Sequence, residues 1–224
     1  GNYDIWVMDA DGSNLQQITS HPADDMHPSW SPSGATIAFG STRLGTRDIW
    51  LYQFASSPDG SSKLTSALED DRNPTFSPDG SLIAYTSSQT GNEDIWIMNS
   101  DGSGQFQVTT STAIDQTPDW HPDGTRIIYE SFANGTSDIW TISTDGTNAQ
   151  YLTNDSYSDQ GAEYSPDGSQ IAFSSDRAGV AGVYNIWVMD ADGTNLIQLT
   201  FGPRERAPNW SPDGSKIVYH STVS

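Results

Sequence analysis

The sequence predicts an all-β protein: a five-bladed β-propeller of four-stranded blades, closed by pairing of its N- and C-terminal strands in one blade. Three observations predict it. An Asp-Ile-Trp triplet recurs at a nearly fixed period, each period divides into four short apolar runs, and the first and last periods are complementary halves.

The triplet stands at Asp4-Ile5-Trp6, Asp48-Ile49-Trp50, Asp94-Ile95-Trp96, Asp138-Ile139-Trp140 and, with one change, Asn185-Ile186-Trp187, at intervals of 44, 46, 44 and 47 residues. In the first period Asp4 to Met8 is one run, and Asp11-Gly12-Ser13-Asn14 turns the chain into Leu15 to Thr19. A polar segment, Ser20 to His27, leads to Pro28-Ser29-Trp30, and Ser31-Pro32-Ser33-Gly34 turns into Thr36 to Phe39. Later turns read Ser-Pro-Asp-Gly or, at His121 to Gly124, His-Pro-Asp-Gly. Proline presets the backbone of such a turn, Asp caps it, and Gly takes the positive φ that closes it. Apolar runs at intervals of about ten residues, with no helical periodicity, mean hairpins.

The repeats lie near 28–65, 74–109, 118–153, 162–200, and 208–224 joined with 1–19, in a single domain over 1–224. Three connections from the last aromatic of one hairpin to the next Asp have eight residues; the two chain ends together also supply eight, which is why the ends are expected to share a blade. Two insertions, within Ala55 to Lys63 and Asp176 to Tyr184, read as surface loops.

Composition limits the function. Acidic residues outnumber basic ones 29 to 9, a formal charge of −20. No basic stripe is available to neutralise phosphates, which excludes nucleic acid. An anionic membrane surface would repel the chain, and no segment has the apolar length of a membrane span, so membrane insertion is not expected. Cations or a basic protein or peptide partner are what this field attracts. There are no cysteines, hence no disulfide or thiolate metal site. Nothing at the N-terminus reads as a signal peptide, and the chain opens inside a repeat. A monomer is the expected state.

All eight tryptophans occupy repeat positions, five in the triplet and three (Trp30, Trp120, Trp210) in a Pro-x-Trp run, so they are expected to fill the space between blades. The Asp-x-Asp-Gly turns lack the further ligands of a calcium loop. His21, His27, His121 and His220 fall at different repeat positions, and no nucleophile elbow or zinc-protease motif appears, so no catalytic residue is identified. One column survives. Three residues before each Pro-x-Trp position stands an acid: Asp25, Asp71, Asp115, Asp159 and Glu205. A propeller would place these five as a ring at one channel mouth, with His27, Arg72, Gln116, Gln160 and Arg206 beside them. Neighbours about 7 Å apart would repel by about 2 kcal/mol at an effective dielectric near 20. Two readings remain open: the acids cap loop amides blade by blade, or they hold calcium or another cation, or a cationic partner.

The unit Pro-x-Trp-Ser-Pro-Asp-Gly, followed by Asp-Ile-Trp-Val-Met-Asp-x-Asp-Gly, resembles the TolB-type β-propeller repeat over essentially the whole chain. It does not resemble the WD repeat, whose Gly-His and Trp-Asp dipeptides are missing. The resemblance implies a non-catalytic protein–protein interaction scaffold, periplasmic or extracellular. TolB itself has six blades, an additional N-terminal domain and a peptidoglycan-associated lipoprotein partner; five copies without that domain do not carry this partner over. Similar repeats also serve as accessory or substrate-gating propellers of larger hydrolases or lyases, which is the alternative reading. A cation- or ligand-binding module at an acidic mouth is the second alternative.

Overall fold

A computed structural model describes residues 1–55, 60–66 and 68–222, and every regular element among them is a strand. Residues 56–59 of the first insertion lie outside that description. The chain divides into two compact units, residues 1–106 and 107–224.

In the first unit, β1 (Trp6–Val7) and β2 (Gln16–Gln17) form a two-stranded sheet. β3 (Asp25–Trp30), β4 (Thr36–Leu44), β5 (Thr46–Gln53) and β6 (Ser61–Lys63) form an antiparallel sheet in chain order. β7 (Asp71–Phe76), β8 (Leu82–Ser87), β9 (Asp94–Asn99) and β10 (Phe106–Gln107) repeat the plan. The second unit holds two more four-stranded sheets. One is β11 (Asp115–Trp120), β12 (Arg126–Ser131), β13 (Asp138–Ser143) and β14 (Gln150–Tyr151). The other is β15 (Asp159–Tyr164), β16 (Gln170–Ser175), β17 (Asn185–Asp190) and β18 (Ile197–Gln198). A final pair, β19 (Glu205–Trp210) and β20 (Ile217–Ser221), stands as a sheet of two.

The four-strand plan therefore appears in four sheets, as the sequence pattern requires. The joint blade expected from the chain ends does not appear as one sheet among the described residues; β1–β2 and β19–β20 each keep only their local hairpin. Register is constant where sheets are complete. Phe39 faces Trp50, Tyr85 faces Trp96, Tyr129 faces Trp140 and Phe173 faces Trp187.

The Ser-Pro-Asp-Gly turns are closed by their own side chains. Ser77 Oγ donates to Asp79 Oδ1 at 2.6 Å, the Leu82 amide donates to Ser77 Oγ at 3.0 Å, and Gly80 takes φ 74°. Donation from Ser77, then from Ser81, lowers the Asp79 carboxyl to about 2, and Asp167 and Asp213 are held at about 2 in the same way.

Core filling differs from the tryptophan expectation. The triplet isoleucine is buried in every copy, at 4% exposure or less for Ile5, Ile49, Ile95, Ile139 and Ile186. Strand alternation puts the triplet tryptophan on the other face, where Trp50, Trp96, Trp140 and Trp187 are half-buried and Trp6 is 51% exposed. Trp30 is 49% exposed, whereas Trp120 is buried. Trp96 does pack against the first unit's core (Ile49, Phe76, Ile83, Tyr85, Met98) and Trp187 against the second's (Ile128, Ile139, Tyr164, Phe173, Met189). The tryptophans thus flank these clusters, and the aliphatic and Phe/Tyr side chains make their centres.

Candidate functional site: the first strand of each sheet

Each of the five acids opens the first strand of its sheet, and each is buried: Asp25 1%, Asp71 1%, Asp115 2%, Asp159 0% and Glu205 5% exposed. Burial of a carboxylate is costly without partners, and each has local ones. Arg43 Nη2 donates to Asp25 Oδ2 at 2.8 Å, and Arg177 Nη2 to Asp159 Oδ2 at 2.6 Å. Burial pushes the Asp71 carboxyl up, hydrogen bonds from Ser87 and Thr65 pull it back, and the Asp48 charge adds to the rise. Ser111 Oγ donates to Asp115 Oδ2 at 3.3 Å. Glu205 accepts from Asn185 Nδ2 at 3.0 Å and from the Gly202 amide at 3.1 Å. Burial raises that carboxyl, and the donors Thr200, Asn185 and Gly202 together outweigh it, leaving it lowered. Among the described residues, no group of three or more His, Asp or Glu side chains is arranged to hold a metal.

Immediately after the acid, every first strand breaks register against its neighbour. The shifts fall between Met26 and Ser29, Arg72 and Thr75, Gln116 and Asp119, Gln160 and Glu163, and Arg206 and Asn209. The residue two after the acid takes positive φ: His27 55°, Asn73 53°, Thr117 51°, Gly161 60° and Ala207 52°. Only one of the five is glycine, so this is a β-bulge held against conformational preference, at a typical cost of about 1–3 kcal/mol per residue. The candidates His27, Arg72, Gln116, Gln160 and Arg206 all sit on these bulges.

Within the first unit β3 packs beside β7, bringing His27 near Arg72 and Arg47; burial, then those two cations, lower the imidazole. Arg72 pairs with Glu93. Within the second unit β15 packs beside both β11 and β19. Gln116 Nε2 donates to Glu130 Oε2 at 3.2 Å, and the other Glu130 oxygen accepts the bulge amide of Gly161 at 2.8 Å. Ser174 Oγ accepts the bulge amide of Ala207 at 3.1 Å. Arg206 stacks its guanidinium 3.9 Å from the centre of the Tyr184 ring.

A second polar column lies four residues after each acid: Ser29, Thr75, Asp119, Glu163 and Asn209. Three of these accept a backbone amide of the following first strand. The bonds are Phe76 N to Ser29 Oγ at 3.4 Å, Tyr164 N to Asp119 Oδ2 at 3.2 Å, and Trp210 N to Glu163 Oε2 at 3.0 Å. Burial raises Asp119 to about 6, and burial followed by the Asp119 charge raises Glu163 to about 8. Reading from sequence missed this column, although five polar residues capable of accepting a hydrogen bond at one repeat position were a visible signal. The guanidinium partners Arg43 and Arg177 were missed as well.

A model of the TolB beta propeller domain matches residues 60–224. The chain belongs to that family. TolB of the Tol-Pal system from Albidiferax ferrireducens is 46% identical over 39 residues, 17% of this chain and 9% of that protein. The Tol-Pal protein TolB of Anaeromyxobacter dehalogenans is 34% identical over 55 residues, 25% and 13% of the two chains. The crystal structure of TolB from Acinetobacter baumannii superposes with a TM-score of 0.81 at 24% identity, over 96% of this chain and 53% of that one. The matched regions therefore cover about half of that TolB and about a tenth of the length of the curated relatives. A Mycobacterium tuberculosis puromycin-hydrolyzing peptidase shares the fold alone, at TM-score 0.72 and 14% identity. Among the described residues, no helix is long and apolar enough to cross a membrane.

Proposed function

We propose that this TolB-like propeller is a non-catalytic docking module, periplasmic or extracellular, that binds another protein through the row of bulges on its first strands. The observation that carries the reading is the bulge itself, repeated five times with a non-glycine residue at positive φ in four copies. Bulges re-aim side chains, and strained backbone persists where the surroundings over-determine it. In this reading the buried acids fix the start of each strand, and His27, Arg72, Gln116, Gln160 and Arg206 make contact. The relatives' place in the Tol-Pal system supports an envelope protein as partner.

The same reading takes five blades, with β1–β2 completing the β19–β20 sheet. It is supported by the exposure of Val218 at 67% and Tyr219 at 40% on one element and of Trp6 at 51% on the other, and by the eight-residue loop arithmetic. By repeat register, Ser221 would face Asp4. Oxidation of an Asp4→Cys/Ser221→Cys protein to a cross-linked monomer supports closure; cross-linking only between molecules counts against it.

The docking function is tested by a photo-cross-linking residue placed at Gln160 and, as a control, at Ser215 in a turn. Cross-linking to one envelope protein from Gln160 alone, lost in an Arg72→Glu/Arg206→Glu protein, is expected. Equal cross-linking from both positions, or none from Gln160, overturns it.

A further inference from the structure

Two sheets seat an arginine in the same place. Eighteen residues after the strand-opening acid, Arg43 follows Asp25 and Arg177 follows Asp159. Each guanidinium binds its acid and lies against two rings of its own sheet. Arg43 is 5.4 Å from the Phe39 centroid and 4.9 Å from that of Trp50, and Arg177 is 5.5 Å from both Phe173 and Trp187. Arg177 Nε also donates to Ser175 Oγ at 2.9 Å, and its Nη1 reaches Asp155 at 3.4 Å. The two side chains are only 9% and 10% exposed, so the slot encloses them.

In the sheet β11–β14 the corresponding residue is Ala133, which is exposed and too short to enter. The rest of the slot is present. Asp115 stands for Asp159, Tyr129 for Phe173, Ser131 for Ser175, Trp140 for Trp187 and Ser111 for Asp155. These five and Ala133 line a cavity of about 190 Å³ lying wholly in the second unit. That is several times the ~30 Å³ share of one liquid water.

We propose that this cavity is a binding site for an alkylguanidinium cation from outside the chain, such as the head of an arginine side chain. The buried Asp115 carboxylate supplies the charge-assisted acceptor, and the Tyr129 and Trp140 rings supply the faces over which a planar cation stacks. An ammonium is compact and strongly hydrated, so the slot favours guanidinium over lysine-like groups. The net charge of −20 draws such cations to the protein.

The test follows the indole N–H resonance of Trp140 by NMR in the full chain. The probes are methylguanidinium, the blocked peptide acetyl-Gly-Arg-Gly-amide, and butylammonium as control. Methylguanidinium should give a saturable shift, and butylammonium a much weaker one. If the peptide binds too, the natural source is a partner's arginine; if it does not, the source is a free guanidinium compound. Asp115→Asn should weaken binding about tenfold or more, the effect of losing one charged hydrogen bond. Ala133→Arg should abolish binding and raise the melting temperature, because the chain then fills the slot as it does at Arg43 and Arg177. An unchanged titration in Ala133→Arg, no saturable shift in the wild type, or equal response to butylammonium overturns the proposal. Ala133→Arg adds a group instead of removing one, so it decides the question even if Asp115→Asn folds poorly.

Discussion

Glu163→Gln should stabilise the protein, and only at high pH. Glu163 titrates at about 8 in the folded chain against 4.5 as the ordinary value, raised first by burial and then by the charge of Asp119. The folded state therefore holds this proton to higher pH than the unfolded chain does, and stability falls as pH rises from 4.5 toward 8. At about 1.36 kcal/mol per pH unit the full difference bounds the loss near 5 kcal/mol. Glu163 is only half-buried and shares its repulsion with Asp119, so screening reduces this to about 2 kcal/mol. A glutamine keeps a carbonyl oxygen for the Trp210 amide, now 3.0 Å from Glu163 Oε2, while giving up the second acceptor used by Asn209 at 2.9 Å. Urea denaturation of wild type and variant at pH 4, 6.5 and 9 measures the effect. The expected result is a gain of about 2 kcal/mol at pH 9 that shrinks to nothing or a slight loss at pH 4. A parallel decline of both proteins from pH 4 to 9 would refute the assignment. A variant less stable at pH 9 would show that the charged acceptor outweighs its burial.

Ile139→Ala empties a fully buried site in the second unit's core and should cost about 2–5 kcal/mol by urea denaturation. Arg177→Leu leaves Asp159, at 0% exposure, without its guanidinium and should cost about 3–5 kcal/mol, far more than a surface pair. Thr117→Gly relieves a β-branched residue at φ 51° and should stabilise by up to about 1 kcal/mol, while weakening any partner that reads this bulge. The turn acids Asp79, Asp167 and Asp213 have lowered carboxyls, so the stability they add is present above 3.8 and lost as pH falls through about 2. An acid titration followed by circular dichroism should lose part of that final transition in Asp213→Asn.

The repeating part of the fold was legible because it is written in local chemistry. Pro, Asp and Gly mark each turn, and alternating apolar runs mark the strands between. The identity of the core residue was less legible. Strand alternation separates Ile49 from Trp50 as strictly as any pattern can, yet size favoured the tryptophan, and the structure buries the isoleucine. The column of acids was also readable, but not its surroundings. Arg43 lies eighteen residues beyond Asp25, and the ion pair exists only because β4 turns back along β3. The bulge left almost no trace in the sequence, since four of its five positive-φ positions carry His, Asn, Thr or Ala instead of Gly. At Ala207 the bulge amide is held by Ser174 of the neighbouring sheet, a contact that no local motif encodes.

Those contacts bear on how such a chain could be lengthened or cut. The bulge amide of Gly161 is satisfied by Glu130, and that of Ala207 by Ser174, each acceptor belonging to the sheet before. The backbone amides of Tyr164 and Trp210 are likewise met by Asp119 and Glu163 of the preceding first strands. A sheet moved by itself into another array would arrive with unmet amides and leave unmet acceptors behind. A unit that carries its bulge bonds with it must therefore begin in the second strand of one sheet and end in the first strand of the next. Chimeras joined at the Ser-Pro-Asp-Gly turns keep the Gly161 and Ala207 amides with their acceptors and give up only the bonds between successive first strands, whereas chimeras joined between sheets lose both sets.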